Sequence, residues 1–314
     1  MTDLDLDQEG QALRSGLLKS LPEIPARFFY DDRGMELFDQ ITKLPEYYPT
    51  QTETAILEQS SLEILKVCRP ESVLELGAGE AIKVRKLIEA GLELGCLRRV
   101  VLSDVNQEAV ESSCRELAAD YPTLAFESYV GDHTQDLSFV GTAGPELVAF
   151  LGGSFGNFQR RDGVAFLARL RSQMRSGDSL LLGADLVKDV KRLEAAYNDS
   201  QGVTAAFNLN ALTHFNFEMG SDFVPDNFEH VAFFDTDNSW IELRLRAKND
   251  NRVSVPALNL ELSFKAGDAI RTEVSCKYTR ESLAELARIA GFSGGGCFTD
   301  SEELFALSLM LLES

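Results

Sequence analysis

In the run Thr272-Glu273-Val274-Ser275-Cys276-Lys277, Glu273 and Ser275 stand two residues apart. In an extended strand they share one face at roughly 7 Å, a spacing at which a carboxylate and a hydroxyl can take both ends of a ring with two nitrogens. A polar strand face turned to solvent would read the same way. Two further acids end strand-like runs: Asp104 closes Val100-Val101-Leu102-Ser103-Asp104, and Asp132 follows the strand near Phe126–Tyr129. Carboxylates at the carboxyl ends of successive strands sit where open α/β sheets bind ligands. Asp104 is placed to accept from two ribose hydroxyls and Asp132 from an adenine amino group, although either could instead cap a following helix. Asn157, in Phe150-Leu151-Gly152-Gly153-Ser154-Phe155-Gly156-Asn157-Phe158, can donate and accept at once, which suits a zwitterionic amino acid. Asparagine in a glycine-rich turn also adopts a left-handed conformation, and that reading stays open. Tyr30, Tyr47 and Tyr197 carry phenols on apolar bodies, and taken singly each reads as a core aromatic.

The element that must position the acids is Val73-Leu74-Glu75-Leu76-Gly77-Ala78-Gly79-Glu80-Ala81-Ile82-Lys83-Val84, an apolar strand, a glycine turn and the start of a helix. Glycines let the backbone approach a ligand and take positive φ, and the helix start offers unpaired N–H groups. A dinucleotide fingerprint needs a third glycine where Ile82 stands, so NAD and FAD are disfavoured. Glu75, two residues before Gly77, suits S-adenosylmethionine (SAM), whose tail is an amino acid rather than a pyrophosphate. Lys83 is placed to pair with that tail's carboxylate. A turn of purely structural kind remains the competing reading.

Strands and helices alternate from Val73 to about Ala184, a parallel α/β signature. Residues 220–278 change rhythm to clustered strands. Trp240-Ile241-Glu242-Leu243-Arg244-Leu245-Arg246 reads as half exposed, with Ile241, Leu243 and Leu245 inward and three charges outward. A last helix over Arg280–Ala290 and a hairpin through Phe305–Leu312 close the chain. The 314 residues suffice for a large core. A net charge of −20 and a pI near 4.6 argue against nucleic acid or an anionic membrane as partner. Five scattered cysteines without metal-like spacing to His133, His214 or His230 predict reduced thiols and no metal. With an acidic N-terminus unlike a signal peptide and no membrane-length apolar stretch, a soluble cytoplasmic protein is expected, with a monomer as the simplest state.

Together with Phe29-Tyr30-Asp31, Leu44-Pro45-Glu46-Tyr47-Tyr48-Pro49-Thr50, Leu180–Asp189 and Gly202–Asn208, these motifs resemble the ergothioneine-pathway L-histidine Nα-methyltransferases over nearly the whole chain. The resemblance implies an α/β fold: a class I (Rossmann-like) SAM-dependent methyltransferase domain over 52–187 and 279–314, with an inserted α+β substrate-binding domain formed by 1–51 and 188–278. It implies that Gly77, Lys83, Asp104, Asp132 and His133 line the SAM site. Tyr47, Asn157 and Tyr197 would hold the amino and carboxylate groups of histidine, with Tyr30 close by, while Glu273 and Ser275 would bind the imidazole. Tyr47, Asn157 and Tyr30 are the residues assigned to the reacting amine.

The implied reaction is methylation of the α-amine of L-histidine, repeated to the trimethyl betaine hercynine. His133 stands where the family commonly has Phe, Leu243 where a Met often lines the imidazole site, and Gly153-Ser154 where Ser-Thr is usual, so amino-acid specificity is the open point. Two alternatives follow: an Nα-methyltransferase for another amino acid such as tryptophan, or a catalytically silent SAM-binding partner protein.

Overall fold

The computed structural model describes residues 7–142 and 144–312. The chain divides into two compact units, Met1–Tyr48 with Lys188–Ser275, and Pro49–Val187 with Cys276–Ser314. The strands in chain order are β1 (Ser72–Leu76), β2 (Arg99–Asp104), β3 (Ala125–Val130), β4 (Glu146–Phe150), β5 (Ser179–Asp185), β6 (Phe228–Asp235), β7 (Trp240–Ala247), β8 (Asn251–Val255), β9 (Leu260–Phe264), β10 (Ala269–Cys276), β11 (Ser293–Thr299) and β12 (Phe305–Leu311). The helices are α1 (Gln8–Leu17), α2 (Asp32–Thr42), α3 (Tyr48–Cys68), α4 (Val84–Glu93), α5 (Gln107–Asp120), α6 (Arg160–Gln173), α7 (Val190–Ala195), α8 (Val203–Met219) and α9 (Arg280–Ala290).

The second unit is a Rossmann-like α/β sheet in the order β3-β2-β1-β4-β5-β12-β11. Strands β1 to β5 pair in parallel, while β12 runs antiparallel to both β5 and β11. Every residue of β1, β4 and β5 is buried, as continuous apolar runs in a sheet covered on both faces should be. Ile56, Leu57, Ile64 and Leu65 of α3, Leu87 and Ile88 of α4, and Val110 and Leu117 of α5 join one apolar core with Val73 and Leu102. The order reverses between β1 and β4, the switch point outside whose carboxyl ends ligands bind in open sheets of this kind. Helix α9 starts at a capping box of Thr279 and Ser282 and ends at Gly291, which takes the left-handed conformation at φ 85°. At the end of β5, Asp185 pairs at 2.7 Å with the fully buried Lys277.

The first unit holds a three-stranded sheet ordered β10-β7-β6, in which β6 and β7 pair antiparallel, and an antiparallel β8–β9 hairpin. Helix α8 packs on α2 and on the short turn Ala26–Phe29, with the Phe28 and Phe215 rings edge-to-face at 4.8 Å. The N-terminal segment lies along β10, where Ile24 N donates to the Arg271 carbonyl and Arg271 N to that of Pro22.

One expectation fails on β7. On its charged face Arg244 is half-buried and Arg246 exposed, as the alternation implies, but Glu242 is buried at 2% exposure. Its carboxylate takes Arg244 at 2.6 Å, the Trp240 indole N–H at 3.1 Å and Arg271 at 3.6 Å. A buried acid is tolerated when it is paired and hydrogen-bonded in this way. Alternation along a strand shows which residues share a face, but not what covers it.

Candidate functional site

At the carboxyl end of β1, Gly77 and Gly79 take positive φ, 70° and 51°. The amides of Gly77 and Ala78 donate to the Ser103 carbonyl at 2.8 and 3.0 Å. The Gly79 amide donates to Asp104 Oδ2 at 2.9 Å, and its carbonyl accepts from Ser113 Oγ at 3.0 Å. The turn therefore does not run straight into a helix with free amides, since α4 begins only at Val84 and Asp104 already engages one of them. Asp104 Oδ1 accepts from Asn106 N at 2.9 Å, and Asn106, not Asp104, caps α5. Asp132 caps no helix either, because its Oδ1 takes Thr134 N at 2.7 Å in a run of turns. The helix-cap readings are thereby removed for both acids.

A Cβ on Gly77 would stand 3.9 Å from His133 Cε1, and one on Gly79 would meet nothing within 4 Å. His133 packs edge-on to Phe150 at 5.2 Å. Burial holds its pKa below the usual range against the opposing pull of Asp132 and Asp104. His133 Nδ1, Ser103 Oγ and Glu75 Oε2 are buried without a hydrogen-bond partner among the described residues. Burial pushes Glu75 up to about 8, with Lys83 opposing and Glu53 and Asp104 reinforcing. Open space over Gly79 and unsatisfied polar atoms around the turn fit a polar ligand such as SAM.

Lys83 has a protein partner that sequence reading missed. Its Nζ lies 2.5 Å from Glu53 Oε2, and Glu53 on α3 is fully buried. Both Glu53 oxygens also accept from Gly152 N, at 3.0 and 2.8 Å. Glu53 thus ties the loop after β4 to the lysine that precedes α4, at the switch point itself. A Cβ on Gly183 would collide with Glu53 Oε1, which explains the glycine inside an otherwise bulky β5. An ammonium has three donors, so Lys83 retains capacity for a ligand carboxylate while paired. The available signal was an acid three and four residues before Ile56 and Leu57, on the apolar face of α3. Glu53→Ala strands a largely buried cation and an amide, so a loss of about 3 kcal/mol of stability is expected, read as a fall in the urea midpoint. An unchanged midpoint would show that the pair contributes nothing.

After β4, Gly152 and Gly153 take the left-handed conformations, φ 82° and 72°. Asn157 ends a single 3-10 turn, Ser154–Asn157, and is not left-handed. Its place in the sequence therefore does not follow from backbone strain. Its side-chain amide makes no hydrogen bond to another described residue.

In the first unit the Tyr197 hydroxyl donates to Ser275 Oγ at 2.9 Å, and the Tyr47 and Tyr197 rings meet edge-on at 6.2 Å. Glu273 sits two residues before Ser275 on β10, partly buried. The structure so brings together Tyr47, Tyr197 and the Glu273/Ser275 face. Tyr30 stands in a different aromatic group, edge-on to Phe29, Phe38 and Phe207 at 5.9–6.4 Å. The order of elements alone would not have joined Tyr197 to Ser275.

The family described as histidine-specific, SAM-dependent methyltransferases matches residues 9–312. The chain is 43% identical over 311 residues to a histidine N-alpha-methyltransferase of Mycolicibacterium smegmatis, covering 98% of this chain and 97% of that protein. It is 42% identical over 295 residues to one of Mycobacterium tuberculosis, covering 94% and 92%. Ergothioneine biosynthesis protein 1 of Schizosaccharomyces pombe is 27% identical over 282 residues, 86% of this chain and 36% of that protein.

Proposed function

The chain belongs to the histidine-specific, SAM-dependent methyltransferase family, and from that premise we propose that it methylates the α-amine of L-histidine, repeatedly, to the trimethyl betaine hercynine, as a step toward ergothioneine. The observation that carries the reading is the Tyr197–Ser275 hydrogen bond beside Glu273. It sets a residue for the amino-acid end of the substrate against two residues suited to an imidazole. Glu273 accepts from one ring nitrogen as a charge-assisted hydrogen bond, and Ser275 serves the other. Tyr47, Asn157 and Tyr197 hold the amine and carboxylate, with Tyr30 as a further phenol.

Gly77, Lys83, Asp104, Asp132 and His133 would hold SAM. When bound it supplies a methyl group on a sulfonium, already a good leaving group, so no nucleophilic side chain is required. The chain's contribution is orientation and desolvation. Lys83 meets the carboxylate of the amino-acid tail, Asp104 the ribose hydroxyls, Asp132 the adenine amino group and His133 the adenine face. The amine would attack as the free base, the N–C bond forming as the C–S pair leaves with sulfur; the ammonium products of the first and second transfers would each lose one proton to water before the next, and the third transfer leaves a quaternary ammonium with no proton to lose. Tyr47 orients that amine. Its phenol is a poor base near neutral pH, so it is given no proton-accepting role.

A cytoplasmic setting fits five free cysteines. Among the described residues no helix is long and apolar enough to cross a membrane.

The test is mass spectrometry of products after incubation with SAM and each of the twenty amino acids. Trimethylated histidine is expected. A mono- or dimethyl end point would remove the betaine assignment, and transfer to tryptophan but not histidine would overturn the substrate.

A further inference from the structure

Tyr197 and Ser275 are also joined through residues that none of the roles above uses. The Tyr197 carbonyl lies 2.9 Å from His230 Nε2 on β6, and His230 Nδ1 lies 2.8 Å from Asn208 Nδ2 on α8. Asn208 Nδ2 also donates to the Arg244 carbonyl at 3.1 Å, and Asn208 Oδ1 accepts from Thr272 Oγ1 at 2.7 Å. Thr272 lies three residues before Ser275 on β10, and Ser275 Oγ takes the Tyr197 hydroxyl. The circuit closes on itself.

Its directions are fixed by chemistry. A carbonyl can only accept, so Arg244 identifies the amide nitrogen of Asn208, and Nδ1 of His230 must be the acceptor. By the same argument His230 Nε2 carries the proton that Tyr197 accepts. The imidazole is then neutral. Burial lowers its pKa in keeping with this, while the Tyr197 carbonyl and the Asp199 carboxylate work the other way. Asn208 is fully buried and Thr272 is at 3% exposure. In such a network, removing one member leaves its partners unpaired.

We propose that His230 and Asn208 are positioning residues for the amino-acid substrate, holding the Tyr197 main chain and β10 in fixed register so that Tyr197, Ser275 and Glu273 meet a single histidine. The proposal rests on the reading of those three as histidine-binding. It assigns the pair no contact with substrate and no part in holding SAM.

Three variants of the full chain test it: His230→Leu, His230→Gln and Thr272→Val. A glutamine amide can donate to the Tyr197 carbonyl and accept from Asn208, whereas leucine does neither. His230→Leu is expected to raise the histidine KM at least tenfold and to leave the SAM Kd, measured by calorimetry, within twofold. His230→Gln should recover most of that loss, and the near-isosteric Thr272→Val should raise the KM several-fold. Should His230→Leu fail to fold, the other two decide. An unchanged histidine KM in Thr272→Val, a glutamine no better than leucine, or a SAM Kd that rises in step with the KM overturns the proposal. Nitrogen-15 NMR of the imidazole gives a readout without catalysis: the Nε2–H tautomer is expected, and Nδ1–H refutes the circuit. If the unaltered protein does not methylate histidine while the tautomer is as stated, it is the functional reading that fails, not the circuit.

Discussion

Asp104→Ala is expected to weaken SAM binding by more than a hundredfold. Asp104 shapes the glycine turn, through Gly79 N at 2.9 Å, and stands at the end of β2, where the proposed SAM site places the ribose. Each carboxylate oxygen has two lone-pair sites, and the backbone amides of Gly79 and Asn106 use one on each. One site per oxygen therefore remains for two adjacent hydroxyls. Two charge-assisted hydrogen bonds at about 1.5–3 kcal/mol each amount to roughly 3–6 kcal/mol, or two to four powers of ten in Kd. Alanine also removes the anchor of Gly79, so the turn that approaches the ligand is loosened as well. Asp104→Asn keeps one acceptor for the turn and should fall between the two. Calorimetry with SAM and S-adenosylhomocysteine checks both, because the ribose is common to them and the two affinities should drop together. A loss under tenfold, or one confined to the sulfonium form, would move Asp104 out of the ribose site.

How much of this was legible from sequence depends on the range of the interaction. Strands β1, β4 and β5 could be read because burial on both faces leaves continuous apolar runs, and α9 because its caps are local. Gly77 and Gly79 were legible for the same reason: positive φ is a property of a single residue. Asp104 and Asp132 could be placed at strand ends, and the structure then removed the helix-cap reading by showing Asn106 at the cap and turns after Asp132. Lys83 was placed beside the glycine turn, but Glu53 is thirty positions away on another helix and becomes a partner only when α3 packs beneath the switch point. Glu242 was misjudged because alternation does not show that Trp240 and Arg244 of its own strand and Arg271 of β10 gather on its carboxylate and bury it. Asn208, His230 and Thr272 belong to three elements and carry no common motif, so their circuit exists only in the fold.

Glu273→Ala should raise the histidine KM more than tenfold while leaving the SAM Kd unchanged. On β10 the residue shares a face with Ser275, which is already committed to the Tyr197 hydroxyl. In the proposed site Ser275 would therefore offer the ring only its remaining hydrogen-bonding capacity, and the stronger contact to the imidazole would fall to the carboxylate. A charge-assisted bond of about 1.5–3 kcal/mol corresponds to a factor of roughly 10 to 150. Glu273→Gln retains the acceptor oxygen without the charge and should lie closer to the unaltered protein than alanine does. The same residue bears on substrate choice. An indole has a single ring N–H and no second nitrogen for Ser275, so a site built around this pair leaves one polar group unmatched when tryptophan binds, and such mismatches are heavily penalised. If Glu273→Ala left the histidine KM within threefold, the ring would not be held by this face of β10. If it lowered the KM for tryptophan while raising that for histidine, Glu273 would be established as the group that selects the imidazole. The SAM Kd is the control in either case, since the residues proposed to hold SAM, Gly77, Lys83, Asp104, Asp132 and His133, all belong to the other compact unit.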